Sequence, residues 1–453
     1  MRKSSTIHGL GQGRSRLYAV TETSYGTPGV PKASAAMPAR SRDSMQFLSF
    51  LRDNVRWLAG AFLLTFFSTV GQTTFISLSA GDVRTEYGLT HGQFGTIYML
   101  GTLASALTLP RLGPVVDRYS ARTVAMYVIP ALACAAALMA VSKHVALLLV
   151  AIYLLRLFGQ GMMVHTAYTA VARWFAAQRG RALSLVIIGH NAGDALFPPA
   201  FVALAAIAGW RGVWWIAAAA LVLAALPAVI SLIAIDRTPR SSDPTPRIVD
   251  ARDWTRAEVI RDPVFYMTVL GVAAPSLIVT TIFFNQVYLV ELRGWSLGVF
   301  ASTFAVMAAI NTGFTLVSGQ LIDRFSGLAL LPFVLLPLGL ACFVLGAVEA
   351  QWSAFVFMGL IGVSNGLSTT LFGAVWPEIY GLKHFGAIRS LIVAASVLGS
   401  AAGPGLSGWL IDLGVSYPAQ IVTMGVYCFG VSLLLWRASH MARLRNRADP
   451  ALP

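Results

Sequence analysis

Two charged side chains, Arg156 and Asp194, stand near the middle of runs otherwise apolar enough to cross a bilayer. An isolated charge at that depth costs at least about 2.5–3.5 kcal/mol on insertion scales, so such residues normally face a cavity, a partner or both. Arg156 and Gln160 are four apart and share one face of a helix. His190, Asn191 and Asp194 are three or four apart and share a face of the next. A guanidinium can hold a carboxylate or other anionic group through two parallel hydrogen bonds. A desolvated carboxyl group suits proton exchange. We therefore expect Arg156 and Asp194 to interact, directly or through water, beside a cavity. Arg156 would anchor an anionic group, while Asp194 competes for it and takes up the coupled proton. The alternative role for Arg156 is gating or proton relay. Gln72, Asn285, Gln286 and Asn365 are further candidate hydrogen bonders, although interhelical bonding alone accounts for many such residues. His165, alone in its helix, reads as a packing residue.

The elements that must position these groups follow from hydropathy. A bilayer core needs about 20 apolar residues per helix. Twelve such runs can be marked: 57–78, 92–112, 124–141, 145–171, 182–207 and 212–235, then 264–290, 297–321, 328–348, 353–376, 388–411 and 419–436. Charged residues make up only 11% of the 453 residues, too few to clothe a water-soluble surface of this size. The expectation is an all-α membrane protein of twelve transmembrane helices. Residues 1–56 read as a disordered tail, 57–235 as a first six-helix bundle, 236–262 as a linker rich in Arg, Asp, Ser and Pro, 263–436 as a second bundle, and 437–453 as a second tail. The first tail lacks the apolar core of a cleaved signal peptide, and Met37 or Met45 could equally be the start.

The net charge of +14 is explained by where the basic residues fall. With the N-terminus inside, all but five of the 33 Lys and Arg residues lie in cytoplasmic segments. The exceptions are Arg84, Lys143, Arg211 and Arg293 outside, and Arg156 within a helix. Both termini are thus expected in the cytoplasm. The charge tracks a membrane face rather than a nucleic-acid groove. Trp57, Trp210, Trp295, Trp352 and Trp436 sit at helix ends, where amphipathic rings favour the interface. Cys134, Cys342 and Cys428 fall inside apolar runs with no disulfide or metal spacing. No His-Glu-x-x-His, Gly-x-Ser-x-Gly or phosphate-binding Gly-rich loop with Lys is present, which argues against an enzyme. Neither cofactor nor nucleotide is expected, so energy would come from an ion gradient.

The halves repeat at a shift of 206 residues. Gly88, Gly92 and Phe94 fall on Gly294, Gly298 and Phe300. Gly113, Asp117 and Arg118 fall on Gly319, Asp323 and Arg324. Gly180, Ser184 and Leu185 fall on Gly386, Ser390 and Leu391, and Gly193 and Pro198 on Gly399 and Pro404. Six helices per repeat keep its orientation, so the halves should be related by a pseudo-two-fold axis along the membrane normal, a layout found in transporters. Polar residues kept in both halves then serve the shared fold, and those found in one half only need another reason. The loops Gly113 to Arg118, extended by Arg122, and Gly319 to Arg324 both carry Gly-x-x-x-Asp-Arg. Their Asp can accept hydrogen bonds from a helix N-terminus or an Arg, as a latch holding one conformation.

On these residues the chain resembles the major facilitator superfamily. The signature loop reads Gly113-Pro114-Val115-Val116-Asp117-Arg118-Tyr119-Ser120-Ala121-Arg122. The resemblance extends to Arg156-Leu157-Phe158-Gly159-Gln160-Gly161, to Arg173-Trp174-Phe175 with Arg179-Gly180-Arg181-Ala182, and to Gly209-Trp210-Arg211. It implies alternating access by two six-helix bundles around a central cavity. The order of motifs is most similar to the bacterial monocarboxylate and oxalate/formate branch. That branch often carries a basic residue in the eighth or eleventh helix, where this chain has none at mid-depth. The resemblance implies a monomeric transporter of the bacterial inner membrane, taking up a small organic anion with protons. The competing expectation is proton-driven efflux of drugs or metabolites. The helix-5 motif of such exporters is degenerate here, with Gly189 to Asp194 followed by Pro198-Pro199, and Gly403-Pro404 lies in the eleventh helix instead.

Overall fold

The computed structural model describes residues 39–175, 179–235, 237, 253–381 and 384–448. The chain divides into two compact units, Met1–Asp53 and Asn54–Pro453. Of the first unit, only the start of helix α1 (Ala39–Phe67, resuming after a break as Thr73–Tyr87) is described, so the expected tail lies mostly outside the described residues. Most of the expected linker does too. The second unit holds all the other described residues, and with them every candidate site residue.

All regular structure among the described residues is helical. After α1 come α2 (His91–Leu112), α3 (Ala121–Val141) and α4 (Val145–Trp174). Ten described helices are long and apolar enough to cross a membrane, and a bent pair, Phe50–Gly71 with Thr73–Tyr87, makes an eleventh. One of the ten, Ala182–Leu232, is two helices merged across Gly209, whose φ of 68° and ψ of 167° no helix contains. These are α5 and α6, and the count reaches the expected twelve. The second half holds α7 (Pro263–Phe284, resuming as Gln286–Arg293), α8 (Leu297–Phe325), α9 (Gly327–Ala347), α10 (Trp352–Tyr380), α11 (Phe385–Asp412) and α12 (Tyr417–Ala448).

Local chemistry sets the boundaries. Thr90 and Gln93 form a capping box at the start of α2, Ser120 caps α3, Ser296 caps α8, and Asp262 followed by Pro263 starts α7. The repeat shows in the backbone. Gly88 and Gly294, 206 residues apart, both end a helix in the left-handed conformation with φ of 63°. Ser79 (φ −93°, ψ 6°) and Asn285 (φ −95°, ψ 18°), also 206 apart, break the first helix of each half in the same way. Ser77 Oγ donates to the Phe283 carbonyl at 2.8 Å. These too are equivalent positions of the two halves, so the pseudo-two-fold axis runs beside this bond.

One end of the bundle carries the turns at Gly88, Gly209, Gly294 and Gly414; we call it distal. The proximal end carries Gly113, Ser326 and Tyr380. The halves meet from mid-depth to the distal end. A Cβ on Gly408 would lie 2.7 Å from the His91 carbonyl carbon, and one on Gly95 would lie 2.5 Å from the Pro404 oxygen, so α2 and α11 pack backbone against backbone. At the proximal end Asp262 is buried and tied to the tips of α10 and α12. It accepts from Tyr380 OH at 2.9 Å and from both terminal nitrogens of Arg445 at 2.8 and 2.9 Å. Burial pushes its carboxyl group up, but these bonds and the Val264 N–H outweigh that and hold it below the ordinary carboxylate range.

Candidate functional site

The site is built where α1 fails to be a regular helix. After Phe67 the chain tightens into a 3₁₀ turn, Ser68–Gly71, then Gln72 takes an extended conformation (φ −86°, ψ 157°) and the helix restarts at Thr73. The break docks on α4, whose segment Arg156–Met163 is π-helical. Such widened turns are frequent at functional sites. A Cβ on Gly159 would lie 2.6 Å from the Gly71 Cα, so both positions need glycine for the backbones to approach this closely.

That approach delivers two consecutive threonines to the two buried charges. Arg156, 3% exposed, donates from Nη1 to Thr73 Oγ1 at 3.3 Å. The Thr73 hydroxyl also shares a 2.6 Å hydrogen bond with Tyr98 OH, and the Arg156 Cζ lies 5.5 Å from the Tyr98 ring centroid. Arg156 Nε is buried and has no hydrogen-bond partner among the described residues. Asp194 is buried as well and accepts from Thr74 Oγ1 at 3.2 Å. His190 Nε2 lies 3.6 Å from its other oxygen, and His190 Nδ1 has no partner among the described residues. Of the two arrangements expected for Arg156 and Asp194, direct or through water, the direct contact does not form. Among the described residues they make no ion pair, and each is held by its own threonine.

The second half enters through amides. Asn191 Nδ2 donates to Thr312 Oγ1 at 3.1 Å, and Asn311 Nδ2 donates to Asn191 Oδ1 at 3.0 Å. Gln286 donates to the Thr74 carbonyl at 3.0 Å and to Ser77 Oγ at 2.8 Å, which puts it in the seam between α1 and α7. Asn285, at the break of α7, turns back to the Thr281 carbonyl. Gln72 is buried at the break of α1, and Asn365 is half-buried on α10. Gln160 is exposed, unlike Arg156. The shared face assumed 3.6 residues per turn, and the π-helical segment does not keep that period.

The repeated loops stand apart from this network. Asp117, Arg118 and Arg122 are exposed, and Arg173 donates to the Asp117 carbonyl rather than to its carboxylate. Gly113 sits under His165, whose Nε2 would lie 3.4 Å from a Cβ there. Gly319 has open space around it, and Arg324 lies over the Phe325 ring. The Asp323 side chain lies outside the described residues.

Thr73, Thr74, Tyr98, Asn311 and Thr312 were missed in the sequence. The repeat held a signal for four of them: at a shift of 206, Thr73 faces Val279, Tyr98 faces Phe304, Asn311 faces Ser105, and Thr312 faces Ala106. Each is thus a polar group that its counterpart lacks or shortens. Thr74 faces Thr280, so nothing in the repeat singles it out.

Chemically, the site offers an unused N–H on a buried guanidinium and, across two threonines, a carboxylate beside an imidazole. Among the described residues no group of three or more His, Cys, Asp or Glu could hold a metal ion. A family model described as Major Facilitator Superfamily matches residues 61–387. The fold is similar to that of a bacterial homolog to the human lysosomal transporter Spinster. Its inward-facing, unoccupied structure has a TM-score of 0.69 and 16% identity, over 88% of this chain and 99% of that one. Its inward-facing, occupied structure has a TM-score of 0.63 and 17% identity, over 86% and 96%. No curated protein matches this sequence.

Proposed function

This chain belongs to the Major Facilitator Superfamily and is a secondary transporter of small solutes; from that premise we propose that its solute is a small organic anion of the monocarboxylate class, taken up together with a proton. The observation that carries the reading is Arg156, a buried cation with no acidic partner among the described residues and with an N–H left unpaired. Leaving a charged donor unsatisfied costs more than an ordinary unmade hydrogen bond. A carboxylate entering beside Thr73 supplies the missing acceptor and the missing charge. A neutral solute can supply the acceptor but not the charge, and a cationic one adds a charge of the wrong sign.

Asp194, with His190, carries the proton. When the solute neutralises Arg156, the threonine pair lets Asp194 respond without having held the arginine itself. The halves 57–235 and 263–436 then rock about the axis beside Ser77 and Phe283. In this orientation the proximal end faces the cytoplasm, both termini lie inside, and the membrane is the bacterial inner membrane. The monocarboxylate and oxalate/formate branch, to which the motif order is similar, fits this assignment.

The test is uptake of labelled small carboxylates into proteoliposomes under an imposed pH gradient, inside alkaline. Solute-dependent accumulation with alkalinisation outside is expected. Acidification outside on solute entry, the sign of proton antiport, or no carboxylate moved inward, would overturn the assignment.

A further inference from the structure

We infer that the Asp412 carboxylate is a proton-sensitive latch that holds the distal side of this transporter closed by capping the N-terminus of α2 across the two halves. The inference rests on the transporter reading for its meaning but on separate residues for its evidence. Asp412 ends α11 in the second half. Its Oδ1 accepts from the His91 N–H at 3.1 Å and its Oδ2 from the Gly92 N–H at 2.8 Å, the first residues of α2 in the other half. A carboxylate at that place pairs with orphan N–H groups and with the positive end of the helix dipole. One turn back, Trp409 Nε1 donates to Thr96 Oγ1 at 2.9 Å across the same seam. Beneath the latch the seam admits no side chain at Gly92, Gly95 or Gly408.

The repeat sharpens the point. The counterpart of Asp412 is Ala206, and the counterpart of Gly92 is Gly298. A Cβ on Gly298 would lie 4.0 Å from Val202 of α5, an open contact where the α2–α11 seam is closed. The fold alone therefore does not require a carboxylate here. Asp412 is a polar residue of one half only, and it bonds to the half that lacks it.

The groups facing it make protonation consequential. Arg84 of α1 bonds His91 Nε2 at 2.7 Å, and Glu291 and Tyr288 of α7 and Asp412 of α11 lie around that arginine. The His91 ring packs against Tyr288, tilted by 59°, with centroids 4.2 Å apart. A proton on Asp412 removes the charge facing the helix end and one of the two carboxylates around Arg84, Glu291 being the other. Acid outside then loosens the α2–α11 seam on the side from which protons are to be loaded. Asp412 is a positioning residue, acting through α2.

The test places spin labels at Thr85→Cys and Leu413→Cys in the full chain, with Cys134→Ser, in nanodiscs without solute. The distance distribution is followed against pH. Acidification should raise a longer-distance population. Asp412→Asn should raise it already at neutral pH, shifting the open-to-closed ratio on the order of five- to thirty-fold, and should abolish the further rise with acid. Asp412→Glu should restore the pH response, and His91→Gln should keep it. A label pair within the first half, at Thr85 and Lys143, reports that the variants are folded. The inference is overturned if Asp412→Asn follows the parent curve, or if the pH response disappears with His91→Gln instead. Because no solute is present, a responding seam in a protein that moves no carboxylate leaves the latch standing and rejects the anion reading.

Discussion

Arg156 and Asp194 are held apart by two consecutive threonines: Thr73 takes the guanidinium at 3.3 Å and Thr74 the carboxylate at 3.2 Å. A direct ion pair would have left both charges satisfied and the site inert. The observed arrangement leaves one buried positive charge to be met by something the protein does not supply, with the negative one a side chain away.

Thr73 is the residue on which this geometry turns. In Thr73→Val, Arg156 Nη1 loses its acceptor and Tyr98 OH loses its 2.6 Å partner. The expected cost is about 1–3 kcal/mol, read as a lower melting temperature in detergent. Tyr98→Phe should cost less, since Thr73 still accepts from the arginine. Equal melting of Thr73→Val and the parent would show that the threonine does not hold Arg156.

Asp194→Asn removes the proton carrier and keeps a hydrogen-bond acceptor for Thr74. Exchange of solute across the membrane should persist, while accumulation against a gradient driven by pH should fall to equilibration. Undiminished accumulation in Asp194→Asn would place the coupled proton elsewhere.

Gly159→Ala tests whether the break of α1 depends on its seat in α4. The new methyl would meet the Gly71 Cα at 2.6 Å and its nitrogen at 2.9 Å, both backbone atoms with little freedom to move. Overpacking of this kind costs about 1–3 kcal/mol. Binding of any solute should weaken with it, because Thr73 is displaced. Parent-like melting and affinity would mean that the two backbones have slack.

The Asp262 clamp gives an acid limb to stability. Its carboxyl group titrates lower in the folded protein than the ordinary value of about 3.9, because Arg445 and Tyr380 favour the ionised form. Its contribution is therefore complete above that value and is lost as pH falls through the lower, folded-state pKa. Asp262→Asn should melt lower at neutral pH and lose less on acidification below about pH 4. Parallel curves for variant and parent would show that Asp262 contributes nothing to the acid limb.

The twelve spans and the two halves were legible in the sequence because hydropathy and a gapless 206-residue repeat survive without side-chain detail. Gly88 and Gly294 share even their φ of 63°. Arg156 and Asp194 were legible as candidates too, since both are conspicuous in apolar runs. Their separation was not. It depends on an extended Gln72 and a π-helical turn after Arg156. Both are departures from regular helix, fixed by how Gly71 meets Gly159 in space. Threonines are ordinary in membrane helices; Thr73 stands out only by facing Val279 in the repeat, and Thr74, which faces Thr280, gave no warning. The amides divided for the same reason: Gln286 went to the seam with α1, while Asn191 met Asn311 and Thr312 of the other half.

The most direct test of the anion anchor is thermal stability of the purified transporter with small carboxylates, set beside neutral and cationic analogues of the same size. At a hundred times its dissociation constant a bound solute adds about 2.7 kcal/mol, a readily measured shift. Carboxylates alone should stabilise the parent, and Arg156→Ala should abolish the shift while the variant still folds. Stabilisation of Arg156→Ala at the same carboxylate concentrations would contradict an anchor at Arg156.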